Sequence, residues 1–84
     1  MKYTVVYKPL AEFQLADIWL RFADKQAVTE ASDAIERLLR QNADQIGEPD
    51  ERGWRILAEP PLVVTFDVSV DDRRATVHSV RLRP

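Results

Sequence analysis

Leu62-Val63-Val64-Thr65-Phe66-Asp67-Val68-Ser69-Val70 alternates without a break. Leu62, Val64, Phe66, Val68 and Val70 share one side, and Val63, Thr65, Asp67 and Ser69 the other. Successive side chains of a strand point to opposite faces, so a period of two marks a strand whose apolar face needs cover. Pro60-Pro61 precede the run as a stiff turn, and Asp71-Asp72 follow it as a turn pair. A strand-like run lies on each side, Gly53-Trp54-Arg55-Ile56-Leu57-Ala58-Glu59 before it and Arg74 to Arg83 after it. The spacing predicts three strands in succession, the last antiparallel to the central one.

The cover comes from the N-terminal half. Tyr3 to Lys8 is β-branched and aromatic, which favours a strand. Pro9 stops it and suits the first turn of a helix. Leu10, Ala11, Leu15, Ile18, Trp19 and Phe22 then recur at helical spacing, with Trp19 and Phe22 expected in the core. Asp24 to Gln26 breaks the pattern. A second helix carries Val28, Ala31, Ile35, Leu38 and Leu39 on one stripe and Glu30, Asp33, Glu36, Arg37 and Arg40 on the other. Glu36 and Arg40 form an i,i+4 pair of the stabilising polarity. Two helices with a short break predict a hairpin, and Asn42 to Gly53 reads as the connecting loop. The expected fold is α+β, in the order β-α-α-β-β-β. One antiparallel sheet carries the helix hairpin on one face, in a single domain over residues 1–84.

Hydrophobic residues make up 45% and charged residues 31% of the 84 residues, the profile of a soluble globular domain. There is no cysteine, which excludes disulfides, thiolate catalysis and cysteine-built zinc sites. The single histidine, His78, excludes a His-pair metal site. Neither a metal nor a cofactor is expected. The N-terminus has no apolar run of signal-peptide length and nothing approaches a membrane span, so no membrane partner is expected and the expected compartment is the cytoplasm. Net charge is −2, yet the last twelve residues hold Arg73, Arg74, Arg81 and Arg83 and no acid. An acidic chain is poorly suited to long nucleic-acid tracts, while a local basic patch suits an acidic partner.

Parity then sorts the strand residues. With the Phe66 side toward the helices, Trp54, Ile56, Ala58, Thr76, His78, Val80 and Leu82 are expected inward. Arg55, Leu57, Val63, Thr65, Asp67, Val77, Ser79, Arg81 and Arg83 are expected on the open face, unless a bulge shifts a strand. That face mixes apolar side chains with arginines. It suits a partner with apolar groups and carboxylates, or phosphate. The candidate partner-binding residues are Arg55, Leu57, Asp67, Arg81 and Arg83. His78 has the residue type of a general base, but its parity sends it toward the core. No Ser–His–Asp order, glycine-rich phosphate loop or acidic metal cluster is present.

These segments together resemble the RelE/ParE toxin superfamily of bacterial type II toxin–antitoxin systems, which includes plasmid stabilisation proteins. The resemblance covers nearly the whole chain. Tyr3-Thr4-Val5-Val6-Tyr7-Lys8-Pro9-Leu10-Ala11 is similar to the family's first strand and helix start. Ala34-Ile35-Glu36-Arg37-Leu38-Leu39 is similar to its second helix. Gly53-Trp54-Arg55-Ile56-Leu57, Val63-Val64-Thr65-Phe66-Asp67-Val68 and Val77-His78-Ser79-Val80-Arg81 are similar to its later strands. The ribonuclease branch has an arginine where this chain has Leu62, a catalytic tail where it has Pro84, and a basic composition. The resemblance therefore implies the ParE-like branch. The implied toxin binds a protein, with DNA gyrase as the implied target and a small antitoxin as its neutralising partner. The alternatives are a ribosome-dependent mRNA interferase of the RelE type and a degenerate, non-toxic member. An interferase would use His78 as acid or base and Arg55, Arg81 and Arg83 on phosphate. The leaning is toward a binding protein rather than an enzyme.

Overall fold

The computed structural model describes residues 2–83; Met1 and Pro84 lie outside the described residues. The elements are β1 (Thr4–Tyr7), α1 (Pro9–Arg21), α2 (Lys25–Asn42), β2 (Glu48–Pro49), β3 (Arg55–Glu59), β4 (Leu62–Ser69) and β5 (Arg74–Leu82). They build one five-stranded sheet in the order β1-β5-β4-β3-β2. The α+β architecture and the helix pair are as the sequence predicts.

Local chemistry sets the element ends. Pro9 occupies the first turn of α1, where a missing N–H costs nothing. Asp24 caps α2, its side chain accepting the Ala27 N–H at 3.0 Å. The break between the helices is thus Phe22 to Asp24, slightly earlier than expected. The loop after α2 contains the short strand β2, which the sequence reading missed. Pro49 sits there at the sheet's edge, where no ladder donor is needed.

One expectation is corrected. The sheet is mixed, because β1 pairs with β5 in parallel, Thr4 opposite Arg74 and Tyr7 opposite Val77. The remaining pairs are antiparallel. The cause is the path of the chain. The Tyr3 N–H donates to the Arg40 C=O at 2.6 Å, so the end of α2 lies beside the start of β1. β3 therefore sets out from the end where β1 began. Two reversals later β5 runs the same way as β1.

The core lies between the helices and the inner face of the sheet. Ala11 and Ile18 of α1 and Val28, Ala31, Ile35 and Leu39 of α2 are buried there, over Leu62, Val64, Phe66, Ala75, Val77 and Val80. β4 is buried on both faces from Leu62 to Phe66.

β5 carries one bulge. Thr65 pairs with Ser79 and Phe66 with Val77, which leaves His78 as the extra residue. Beyond Tyr7 the chain has left the sheet for α1, and among the described residues β5 has no strand on that side past Val77. The Val80 N–H instead donates to Gln14 Oε1 of α1 at 2.8 Å. A buried donor without a partner costs about 1–3 kcal/mol. Gln14→Leu is therefore expected to lower the unfolding free energy by about 1–3 kcal/mol in urea titration, whereas Gln14→Glu keeps the acceptor and most of the stability.

Candidate functional site

The bulge decides what the open face of the sheet presents. Before it, Val80 faces inward beside Val64; after it, Val77 faces inward beside Phe66. Both valines are buried. Val77 therefore belongs to the core and not to the open face. His78, expected inward, is turned outward, and its Nε2 lies 2.5 Å from Asp67 Oδ2.

The β3 pairing corrects a second group of assignments. Arg55 lies opposite Phe66 and Leu57 opposite Val64, so both point to the helix side. Ile56 and Ala58 lie opposite Thr65 and Val63 and point to the open side. Leu57 packs against the core. The Arg55 guanidinium donates to the carbonyls of Ile46 at 2.6 Å and Gly47 at 3.2 Å, pinning the loop before β2 to the sheet. Gly47 has φ of +78°, and a Cβ there would stand 2.8 Å from the Ile56 carbonyl oxygen, so only glycine fits. Arg55 is thus held on carbonyls inside the fold, away from Arg81 and Arg83.

A layered group stands at one end of the open face. The Trp54 and His78 rings stack in parallel, centroids 3.8 Å apart. The Arg52 guanidinium lies over Trp54, 4.1 Å from the ring centroid. Asp50 anchors the turn below. Its Oδ2 accepts from Arg52 at 2.9 Å, and its Oδ1 accepts the backbone N–H groups of Arg52 at 2.8 Å and Trp54 at 2.9 Å. The His78 side chain is 18% exposed and that of Asp67 39%. With Nε2 engaged by Asp67, Nδ1 has no protein partner among the described residues. Lys8, Leu10 and Ser79 join this group around a cleft of about 360 Å³.

The other end of the face is basic. Val63 is paired with Arg81 and Ala58. Ile56, Val63, Arg81 and Arg83 line a depression of about 320 Å³ there. Arg81 and Arg83 are exposed and form no ion pair among the described residues. Of the five partner-binding candidates, Asp67, Arg81 and Arg83 lie on the open face, and Arg55 and Leu57 do not. No group of three or more His, Cys, Asp or Glu among the described residues could hold a metal ion. No helix among them is long and apolar enough to cross a membrane.

The sequence reading also missed a surface. Phe13 and Leu20 of α1 are 68% and 70% exposed, and Leu10 is exposed too. Trp19, expected in the core, is 44% exposed. Its indole N–H donates to Thr29 Oγ1 at 3.3 Å across the helix pair. Phe22 does pack against the core. Leu15, Trp19, Leu20 and Val28 line an apolar cleft of about 510 Å³ between the helices. The signal was present: α1 carries apolar residues all round, more than one buried stripe requires.

Burial pushes the Asp50 carboxyl pKa up, but hydrogen bonds from the Arg52 side chain and from the Arg52 and Trp54 backbone, with the Arg52 charge, outweigh it and hold it below the ordinary value. A depressed carboxylate stabilises the fold above its unfolded pKa, and that stabilisation is lost as pH falls through the folded pKa. The loss of thermal stability on acidification below about pH 4 is expected to be smaller in Asp50→Asn than in the wild type, read as Tm against pH. Equal losses in the two would show that the Asp50 turn contributes nothing.

Neither a protein-family model nor a curated protein matches this sequence. Solved structures do match its fold. A chain of the toxin–antitoxin complex RelBE2 from Mycobacterium tuberculosis superposes with a TM-score of 0.81 at 14% identity, over 99% of this chain and 100% of that one. A chain of the chromosomal ParDE system from P. aeruginosa gives 0.69 at 20% identity, over 99% and 98%. A chain of the archaeal RelE–RelB complex from Pyrococcus horikoshii gives 0.60 at 18% identity, over 99% and 97%. From first described strand to last, the chain has the RelE/ParE fold.

Proposed function

We propose that the protein is the toxin of a toxin–antitoxin pair, ParE-like in acting by binding a protein, with DNA gyrase as its target and a small antitoxin as its inhibitor. One observation carries the reading. The three arginines that phosphate chemistry would need together are split, with Arg55 bonded to carbonyls inside the fold. Arg81 and Arg83 form no ion pair among the described residues and stand beside the apolar side chains of Ile56 and Val63. That surface fits acidic and apolar side chains of a protein better than it fits a reacting phosphodiester. The full-length likeness to chains of three toxin–antitoxin complexes supports the choice of partner.

The antitoxin meets two surfaces. An acidic, extended segment crosses Arg81 and Arg83, with Asp67 at the border of that contact. An apolar helix fills the cleft between α1 and α2, where Trp19 and Leu20 stand exposed. Such a segment is disordered alone and folds as it binds.

A second reading has one observation in its favour. The bulge brings His78 to the open face beside Asp67, as an mRNA interferase using His78 as acid or base requires. Purified protein added to translating ribosomes would then cut mRNA, and His78→Ala would abolish the cut. Intact mRNA with the wild type removes this reading.

Binding to a purified cognate antitoxin, followed by calorimetry, tests the first reading. Arg81→Glu with Arg83→Glu is expected to weaken affinity by at least about tenfold and to reduce its salt dependence. Unchanged affinity would show that the arginine face is not the contact.

A further inference from the structure

We propose that the cleft beside His78 is a seat for a single phosphate group, with Lys8, Ser79 and Nδ1 of His78 as its protein partners. The inference is independent of the antitoxin reading and concerns the opposite end of the open face from Arg81 and Arg83.

The backbone brings these groups together. The Lys8 N–H donates to the Val77 C=O at 2.9 Å, so Lys8 leaves the sheet next to the residue that precedes the bulge. His78 and Ser79 follow directly on β5, and all three line the same cleft. Lys8 is exposed, and its ammonium makes no hydrogen bond or ion pair among the described residues.

The imidazole is fixed as a ligand-binding ring would be. Asp67 holds Nε2, and Trp54 lies flat against the ring at 3.8 Å. This leaves one ring position, Nδ1, which donates to a bound anion when the ring is the imidazolium, its other proton held on Nε2 by Asp67. A ring free to rotate would lose entropy on binding; this one has already lost it. The arrangement also uses two unusual elements, a bulge and an aromatic stack, to present one side chain. Bulges that re-aim a side chain cluster next to functional sites.

The charge balance selects an anion. The two acids of this group are engaged, Asp67 by His78 and Asp50 by Arg52. Arg52 and Asp50 cancel one another, so among the described residues Lys8 is the unpaired cation lining the cleft. The donor geometry then favours phosphate over carboxylate. Planar carboxylates are best matched by the arginine fork, but Nε and a terminal nitrogen of Arg52 are already spent on Asp50. The remaining partners are single-point groups on three separate residues, which suits the several oxygens of a tetrahedral anion. Leu10 and the Trp54 edge add an apolar wall, and about 360 Å³ admits a small organic phosphate.

His78 is the only histidine, so its imidazole signals report on this site alone. The test is NMR of the full chain at fixed pH, titrated with inorganic phosphate, with adenosine monophosphate, and with chloride at matched ionic strength. A saturable shift of the His78 signals with phosphate but not chloride is expected. Lys8→Ala should weaken it by about tenfold or more, the loss of one charge-assisted contact. Tighter binding of the mononucleotide would assign the source as a nucleoside phosphate, and equal binding as phosphate itself. Ser79→Ala, a milder change, should weaken binding while leaving the amide spectrum of the core in place. No saturable shift, or identical titrations of the wild type and Lys8→Ala, would overturn the proposal.

Discussion

The structure depends on one extra residue in β5. β4 is the central strand and is buried on both sides from Leu62 to Phe66. Its partner must therefore supply core side chains along the whole helix-facing side. Val77 and Val80 are both buried, yet three positions apart, which a regular strand cannot arrange. Inserting His78 reconciles them. The cost is a break in the ladder, and the surroundings offset it. Gln14 takes the Val80 N–H, Asp67 takes the His78 ring, and Trp54 covers its face. Packing in the core thus creates the polar group on the open face.

Most of the fold was legible because periodicity is a local property. The run from Leu62 to Val70, Pro9 at the start of α1 and the stripe from Val28 to Leu39 each declare an element without reference to the rest. The orientation of β1 was not legible. It depends on where the end of α2 lies, a long-range fact seen only in the Tyr3–Arg40 bond. The two-residue strand β2 is too short to show a pattern.

The site was legible only in part, and parity is the reason. A period-two argument inherits every error of register. On β3 the apolar residues Trp54, Ile56 and Ala58 suggest an inward face, but Ile56 and Ala58 point outward, and Arg55 finds carbonyl acceptors on the core side. Asp67 and Arg81 lie on the open face because β4 and the end of β5 keep regular pairing there, and Arg83, just past β5, lines the same depression as Arg81. His78 was misplaced by the bulge itself, which no composition signals. The exposed side of α1 was missed because only the stripe from Leu10 to Phe22 was followed, and Phe13 and Leu20 lie outside it. Phe13 and Leu20 show that the helix has two apolar sides and only one is covered.

These placements support a protein whose surface is divided by task. One end of the open face carries exposed arginines over apolar side chains, the other a fixed imidazole, and the helices present an apolar cleft. The role proposed for the first of these is protein binding by a toxin. Controlled expression in a bacterial host, following growth, the DNA damage response and mRNA integrity together, tests it most directly. The account predicts growth arrest with a DNA damage response and intact mRNA. Arrest with cut mRNA, or undisturbed growth, would contradict it.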